Sequence, residues 1–484
     1  MDARAAAGGR SDLVAAEDLL QFVNAAVTAT GQREFHSTAA AQQFSLDFLH
    51  AYVRGNYRDL YAAVLALDIN DHNTVRIITD LLRTANEASF DQRRMEGRLI
   101  ARRLATLPPQ RVYGIFRSLS RAKVNNRRTR ALVRDWLAHR PDLTLDAVKY
   151  RGGLACALRH AHLRPPTAEL GDFLFAWRAR PHYAAPLLEA WRRAHYDKSA
   201  LYELPYTVAE GFAARHGIPR ATFLERIAPR MTRLESLRLQ RTVQHHGVEA
   251  AVADLSGMRL TRLASYVLSL SPDERIRRRS ELTGALRAAA DRVAGEMRGT
   301  WGRVTAVLDD SFSSFGSATK RRRPLAVTLA CHHLLAALAT RYVPVWTSGR
   351  TDALLVRPCG PTPLGRRILD ALETAPERLL IVSDGWDNAP PGLAAEVLRV
   401  WRTRLDPGCA ASAVHLNPVY DARDFDVRKL APTVPTAGIR DAEDLPALVE
   451  LARFAESGTG LSELRTYLTG KVAALTRDET GKGR

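Results

Sequence analysis

Two short apolar runs in the last third of the chain restrict its fold more than anything else in the sequence. The first is Arg303-Val304-Thr305-Ala306-Val307-Leu308, followed at once by Asp309-Asp310-Ser311-Phe312-Ser313. The second is Arg378-Leu379-Leu380-Ile381-Val382, followed by Ser383-Asp384-Gly385. Aliphatic and β-branched runs too short for a helix, ending in acidic and hydroxyl-bearing turns, read as central strands of a parallel sheet. The carboxyl ends of such strands are where an open α/β sheet binds its ligands. Alternate residues of an extended chain point the same way, so the oxygens of Asp309, Ser311 and Ser313 can converge. Between the two runs, the turn from Pro358 to Gly365 offers Thr362 just ahead of a helix. Carboxylates and hydroxyls suit a hard cation such as Mg²⁺, which takes oxygens at about 2.0–2.1 Å and keeps some of its waters. The alternative is that the hydroxyls only cap a helix start.

Asp309, Ser311, Ser313, Thr362 and Asp384 follow the order of the metal-ion-dependent adhesion site of von Willebrand factor A domains. Residues 300–474 resemble that fold. The resemblance implies Mg²⁺ or another divalent cation on these five residues, with one coordination position open to an acidic partner. Strands are expected near 303–309, 342–347, 353–357, 378–383 and 411–416. They alternate with helices near 323–340, 364–374, 391–404 and 445–456, the pattern of a sheet wound on both faces.

Upstream the period changes. From 40 to 295 apolar residues recur at helix spacing, as in Leu60, Tyr61, Val64 and Leu65, and then Val75, Ile78, Leu81 and Leu82. Helices are expected near 92–106, 109–121, 126–138, 153–162, 168–178, 184–194, 206–215, 220–228, 231–244, 247–253, 259–268 and 281–297. Many short amphipathic helices in series bury their faces by stacking in pairs, the logic of a HEAT-like solenoid. The first forty residues are rich in Ala, Gly and Ser, with one helix near 14–29, and the polar tail 476–484 reads as disordered. The fold expected is therefore multidomain. An all-α HEAT-like helical ring over 12–298 is followed by a doubly wound α/β domain over 299–475.

The chain has 484 residues and a formal net charge of +18. An excess of this size favours polyanions as partners, nucleic acid or an anionic membrane surface. It is also lopsided, with +15 over residues 1–300 and +3 over the rest. Residues 101–200 alone hold twenty Lys/Arg against seven Asp/Glu. The four cysteines, Cys156, Cys331, Cys359 and Cys409, have neither metal-knuckle nor redox spacing and read as reduced thiols of a cytoplasmic protein. No apolar stretch suits a signal peptide or a membrane span.

The basic residues cluster. Arg94, Arg98 and Arg102 share a helix face, and Arg117, Arg121, Lys123, Arg127 and Arg128 follow with few acids nearby. Such a face is either simply solvated or made to hold phosphates. Next comes Lys149-Tyr150-Arg151-Gly152-Gly153, read as a loop, then an apolar helix ending Arg159-His160-Ala161-His162-Leu163-Arg164-Pro165. His160 and His162 are two apart, wrong for two ligands on one helix face, so a zinc site is not expected. Tyr113 and Phe116, at helix spacing with Val112 and Leu119, read as core.

A basic K-Y loop, an apolar helix and H-L-R-P, preceding the metal-site pattern, resemble the TROVE module of Ro autoantigen ribonucleoproteins. That family joins a helical ring to a von Willebrand factor A domain. The resemblance implies binding of small noncoding, Y-like RNA, and of single-stranded ends of misfolded RNA, by a monomer within a ribonucleoprotein. Carried over by motif, the RNA contacts are Lys149, Arg151 and His162, with Arg159 beside them. A nuclease or other protein engaging the metal through an acidic group is a further partner implied. Two other classes stand beside this reading. One is a metal-dependent protein-interaction scaffold in a bacterial stress or conflict system. The other, a metal-dependent nuclease, is disfavoured because two-metal sites gather more carboxylates than are seen here. No catalytic residue is assigned. Lys320-Arg321-Arg322-Arg323, after the acidic turn, is either a second anion site or a solvated loop.

Overall fold

In the computed structural model the chain forms two compact units, residues 75–254 and residues 1–74 with 255–484. The structure describes residues 2–232, 235, 236, 239, 255, 257–452, 454 and 461–477, with side chains from Asp12 onward. The helices expected over 231–244 and 247–253 lie, but for a few positions, outside the described residues, as does 478–484.

The larger unit is built on a five-stranded, wholly parallel sheet. Its strands are β1 (Arg303–Leu308), β2 (Arg341–Trp346), β3 (Arg378–Val382), β4 (Ser412–Asn417) and, past a two-residue ribbon of β5 (Tyr420–Asp421) and β6 (Asp426–Val427), β7 (Thr436–Gly438). The spatial order is β2-β1-β3-β4-β7. Strand order reverses between β1 and β3, which makes the crevice beyond their carboxyl ends the ligand position of a doubly wound sheet. Val307 of β1, Leu379 and Ile381 of β3 and Ala413 of β4 form one core with Leu364, Ile368, Ala394 and Leu398 of the helices Leu364–Leu372 and Leu393–Val400. The helix Arg323–Leu338 packs on Leu260–Ser269 and Arg279–Ala294.

The expected strand over 353–357 is not one. Ala353–Leu355 is a 3₁₀ turn that starts where the Asp352 side chain accepts from the Leu354 N–H. Leu354 and Val356 are buried, but their carbonyls accept from the buried Arg275 guanidinium rather than from a neighbouring strand. An apolar run needs a ladder partner to be a strand, and here a side chain takes that place. The short edge strand β7 is not expected from the sequence, because Thr436-Ala437-Gly438 has no apolar run.

The first helix spans Asp2–Thr28 and docks on the β7 edge. Asn24 accepts from the Gly438 N–H at 2.8 Å and donates to Asp426 Oδ1 at 2.9 Å. Residues 1–74 and 255–298 thus pack with the sheet, and the helical unit is inserted between them in sequence, whereas the expected division falls at 298.

Within 75–254 every regular element among the described residues is helical. The helices Pro109–Arg121, Arg127–Ala138, Ala168–Ala176, Pro186–Arg193 and Tyr206–Arg215 all touch one central helix, Leu143–Ala161. Lys149–Arg151, expected as a loop, lies inside that helix, at a kink where Tyr150 has φ −131° and ψ 32°. Tyr113 and Phe116 are core residues. Gly153 allows two helices to touch, since a Cβ there would sit 2.8 Å from Tyr113 Cβ. Asp146 is buried beneath them and takes a two-pronged ion pair from Arg140 (2.6 and 3.0 Å) and the Tyr113 hydroxyl at 2.9 Å.

Candidate functional site

β1 runs buried through the sheet and releases the chain at Asp309, whose N–H donates to the Val382 carbonyl of β3. This hydrogen bond fixes the two acidic turns side by side. Asp309, Ser311, Thr362 and Asp384 are all buried and Ser313 is half-buried. The Ser311 N–H donates to Asp309 Oδ1 at 2.9 Å, and the Ser311 and Ser313 hydroxyls lie 3.2 Å apart. Ser311 does not cap the 3₁₀ turn Phe312–Phe315, so its hydroxyl is not used as a helix cap. Thr362 is buried on a loop fastened twice. Its N–H donates to Asn388 Oδ1 at 2.8 Å, and the Phe312 N–H donates to the Gly360 carbonyl. Gly385 follows Asp384 at φ +78°, where a Cβ would meet the Arg428 carbonyl at 2.8 Å, so the turn requires glycine.

Burial, and after it the facing Asp384 carboxylate, raise the Asp309 carboxyl above the usual carboxylate range. Two carboxylates in a desolvated crevice repel until a cation or a proton compensates them. Together with the paired hydroxyls, this donor set fits a hard divalent cation. Among the described residues no three His, Cys, Asp or Glu side chains group closely enough to hold a metal by themselves. A cation there would therefore have to draw on hydroxyls, such as those of Ser311 and Ser313, as well as on the acids. A bound cation would supply an electrostatic grip on an incoming carboxylate or phosphate oxygen.

Several supporting residues are not evident from the sequence. Asp310, which fills a variable position of the metal-site pattern, is fully buried. It accepts from the Ser348 N–H at 2.9 Å and the Ser348 hydroxyl at 2.6 Å, with Arg350 Nε 3.8 Å away. The Thr347 hydroxyl lies 3.1 Å from Asp309 Oδ1 and 2.9 Å from Asp310 Oδ1, tying the end of β2 to the crevice. The available signal is a hydroxyl pair just past the β2 strand. His415 of β4 stands behind Asp384. It is fully buried, with its ring between Ser383 Oγ (3.1 Å) and Thr436 Oγ1 (3.2 Å), and burial pulls its pKa down to about 4.

In the helical unit the basic residues divide into three settings. The first is an exposed edge. The Asn125 side chain meets His162 Nε2 at 3.1 Å and His160 Nε2 meets the Val124 carbonyl at 2.9 Å, so the 122–126 turn is clasped to the end of the central helix. Arg121, Lys123, Arg127, Arg159 and His162 are exposed along it. His162 caps the helix at φ 55°, and the Arg159 guanidinium rests 4.7 Å over the Phe175 ring. The second setting is a cavity of about 480 Å³ at the Tyr150 kink, lined by Gln110, Arg117, Lys149, Tyr150 and the Gly152-Gly153 backbone. The third is structural. Arg151 also borders the cavity, but its guanidinium donates to the Phe173 and Leu174 carbonyls at 3.1 Å each. Arg128 reaches the buried Glu96 at 3.4 Å. By sequence alone these two cannot be told from their exposed neighbours.

Lys320 and Arg323, from the second basic cluster, pair with Glu34 and Asp441 and border a separate cavity of about 380 Å³ with Arg321 and Arg440. Cys331 is buried and Cys409 exposed; all four cysteines are free thiols. Among the described residues no helix is long and apolar enough to cross a membrane. The chain matches no protein-family model, and no curated protein was found to match it.

Proposed function

We propose that this chain is an RNA-binding protein of the Ro type, a ribonucleoprotein component for small noncoding RNA or for single-stranded RNA ends. In this reading residues 75–254 are a TROVE-like, HEAT-like module and the sheet unit is a von Willebrand factor A-like domain holding a divalent cation. The observation that carries the reading is the exposed edge of Arg121, Lys123, Arg127, Arg159 and His162, five basic side chains on two segments clasped to each other. Lys149 and Arg117 at the neighbouring cavity extend it. Such an array neutralises phosphates and releases counterions, so affinity falls steeply with salt. Tyr150, half-buried at the cavity, offers a ring for an unpaired base. Arg151 and Arg128 are left out of the RNA-binding set, since their guanidiniums hold helices together. No catalytic step is assigned.

The test is a filter-binding titration with structured and single-stranded RNA at several salt concentrations. Submicromolar binding at low salt, weakened by Lys149→Ala with His162→Ala in a folded protein, supports the reading. Indifference to every RNA at low ionic strength overturns it. A second reading is favoured by the buried donor set around Asp309. It makes the sheet unit a scaffold that grips an acidic partner through the ion. Partner capture that needs Mg²⁺ and is lost in Asp309→Ala would establish it.

A further inference from the structure

The cavity of about 380 Å³ in the sheet unit shares no residue with the acidic crevice. It lies past the carboxyl ends of β4 and β7, since Pro418 and Arg440, just beyond those strands, line it. Lys320, Arg321 and Arg323 enter from the start of the helix Arg323–Leu338. Thr30 and Glu34 enter from the chain that follows the first helix. Segments far apart in sequence thus bring four cations and one carboxylate to a single space.

The charges are arranged rather than scattered. Lys320 and Glu34 are 15% and 4% exposed and pair with each other. Arg323 and Arg440 both donate to Asp441, at 2.5 and 2.7 Å, with Asp444 3.8 Å from Arg440. Neither of these two acids lines the cavity, so they orient the guanidiniums without filling it. Arg321 has no carboxylate partner among the described residues, and its guanidinium lies 5.6 Å from the centre of the Phe315 ring. The helix begins after Arg322, at φ 58°, with no side chain capping its first turn, so the positive end of its dipole adds to the cations. A separate sign of a missing ligand is Thr30. Its hydroxyl oxygen is buried and bonds to nothing among the described residues. A buried hydroxyl without a partner is a cost that a bound acceptor removes.

We propose that this cavity binds a phosphate group, either inorganic phosphate or that of a small phosphate monoester, through Arg321, Arg323, Arg440, Lys320 and the Thr30 hydroxyl. Every one of these groups donates hydrogen bonds, and phosphate offers several charged acceptor oxygens in return. Guanidiniums match it in geometry as well as in charge. The volume is that of a small-molecule pocket, which runs from about 300 to 1,000 Å³. Because its donors come from the start of one helix, the chain after another and the loop past β7, a bound phosphate ties the first helix to the sheet. The site shares no residue with the exposed basic edge of residues 75–254.

The experiment titrates the full-length protein with inorganic phosphate and with adenosine monophosphate, against chloride at matched ionic strength, by calorimetry and phosphorus NMR. It compares the wild type, Arg321→Ala, Thr30→Val and the combined Arg121→Ala, Lys123→Ala, Arg127→Ala variant. Expected is a loss of phosphate affinity of about tenfold or more in Arg321→Ala and about two- to tenfold in Thr30→Val, with none in the combined variant. Thr30→Val removes a hydroxyl that bonds nothing in the protein, so a purely structural role predicts no change in phosphate affinity. Tighter binding of the nucleotide assigns the site to a monoester, and tighter binding of inorganic phosphate assigns it to the free ion; both sustain the proposal. Heat and line broadening that chloride reproduces, or an affinity indifferent to Arg321 and Thr30 alike, overturn it. So does loss of phosphate binding in the combined variant, which would seat the anion on the exposed edge, and so does no binding at millimolar phosphate.

Discussion

The two units handle charge in opposite ways. Residues 75–254 contain 32 Lys/Arg against 17 Asp/Glu, while the rest of the chain contains 38 against 35. In the balanced unit the unusual groups are inside. Asp309, Asp310, Asp384 and His415 are buried at one end of a sheet, and cations such as Lys320 and Arg323 are matched to acids. In the basic unit Asp146 and Glu96 are buried against Arg140 and Arg128, and the excess charge is outside, along the edge from Arg121 to Arg127, where carboxylates are scarce. Surface charge costs little to keep and is available to a polyanion; buried charge is costly and persists only where geometry or an ion compensates it. The difference is between charge kept at the surface and charge kept inside.

The largest effect expected is on a buried ion pair that anchors the basic unit. Asp146→Ala leaves the Arg140 guanidinium and the Tyr113 hydroxyl without their shared acceptor and should cost about 3–5 kcal/mol. Hydrogen exchange should show the loss confined to 75–254. Spread of the loss into the sheet would mean that the two units do not fold independently.

Next is a pH effect in the sheet unit. His415 is held neutral, with its pKa pulled down to about 4 from an ordinary value of 6.5. Between those values the unfolded chain binds a proton that the folded chain refuses. Stability is therefore full above pH 6.5 and falls as pH drops towards 4, by up to about 3 kcal/mol. His415→Gln should flatten that slope in denaturant titrations; an unchanged slope would assign acid sensitivity elsewhere.

Smaller again is Gly153→Ala, which forces a methyl onto the Tyr113 side chain and should cost about 1–3 kcal/mol. The least effect on stability belongs to the exposed edge. Arg121→Ala, Lys123→Ala and Arg127→Ala together should move the melting midpoint very little, each within about 0.5 kcal/mol. They should nevertheless lower RNA affinity about tenfold or more and reduce the slope of log K on log salt by ~0.7 for each phosphate no longer neutralised. Strong destabilisation with unchanged RNA affinity would invert the contrast between the units.

Much of the sheet is legible in the sequence because central parallel strands are buried on both faces and announce themselves as unbroken aliphatic runs. β1 and β3 fall within a residue of the expected bounds. The helices Pro109–Arg121 and Tyr206–Arg215 likewise coincide with the apolar periodicity. What escapes such a reading is decided by partners distant in sequence. Leu354 and Val356 look like strand residues, but Arg275 satisfies their carbonyls. Arg151 looks like its exposed neighbours, but the end of the helix Ala168–Ala176 captures it. His36 lies in a stretch without pattern, and only the fold brings it within 3.7 Å of a carboxylate 348 positions later.

The sequence by itself determined most of the elements: where the period is helical, which unbroken aliphatic runs become central strands, which turns carry acids and hydroxyls, and where the positive charge lies. These follow from local patterns of polarity, which act over a few residues. Only the tertiary structure decided that the first 74 residues close onto the sheet and that the basic helices are inserted between them and the first strand. It alone distinguished guanidiniums facing solvent from those locked on carbonyls, because that depends on encounters between groups far apart in the chain.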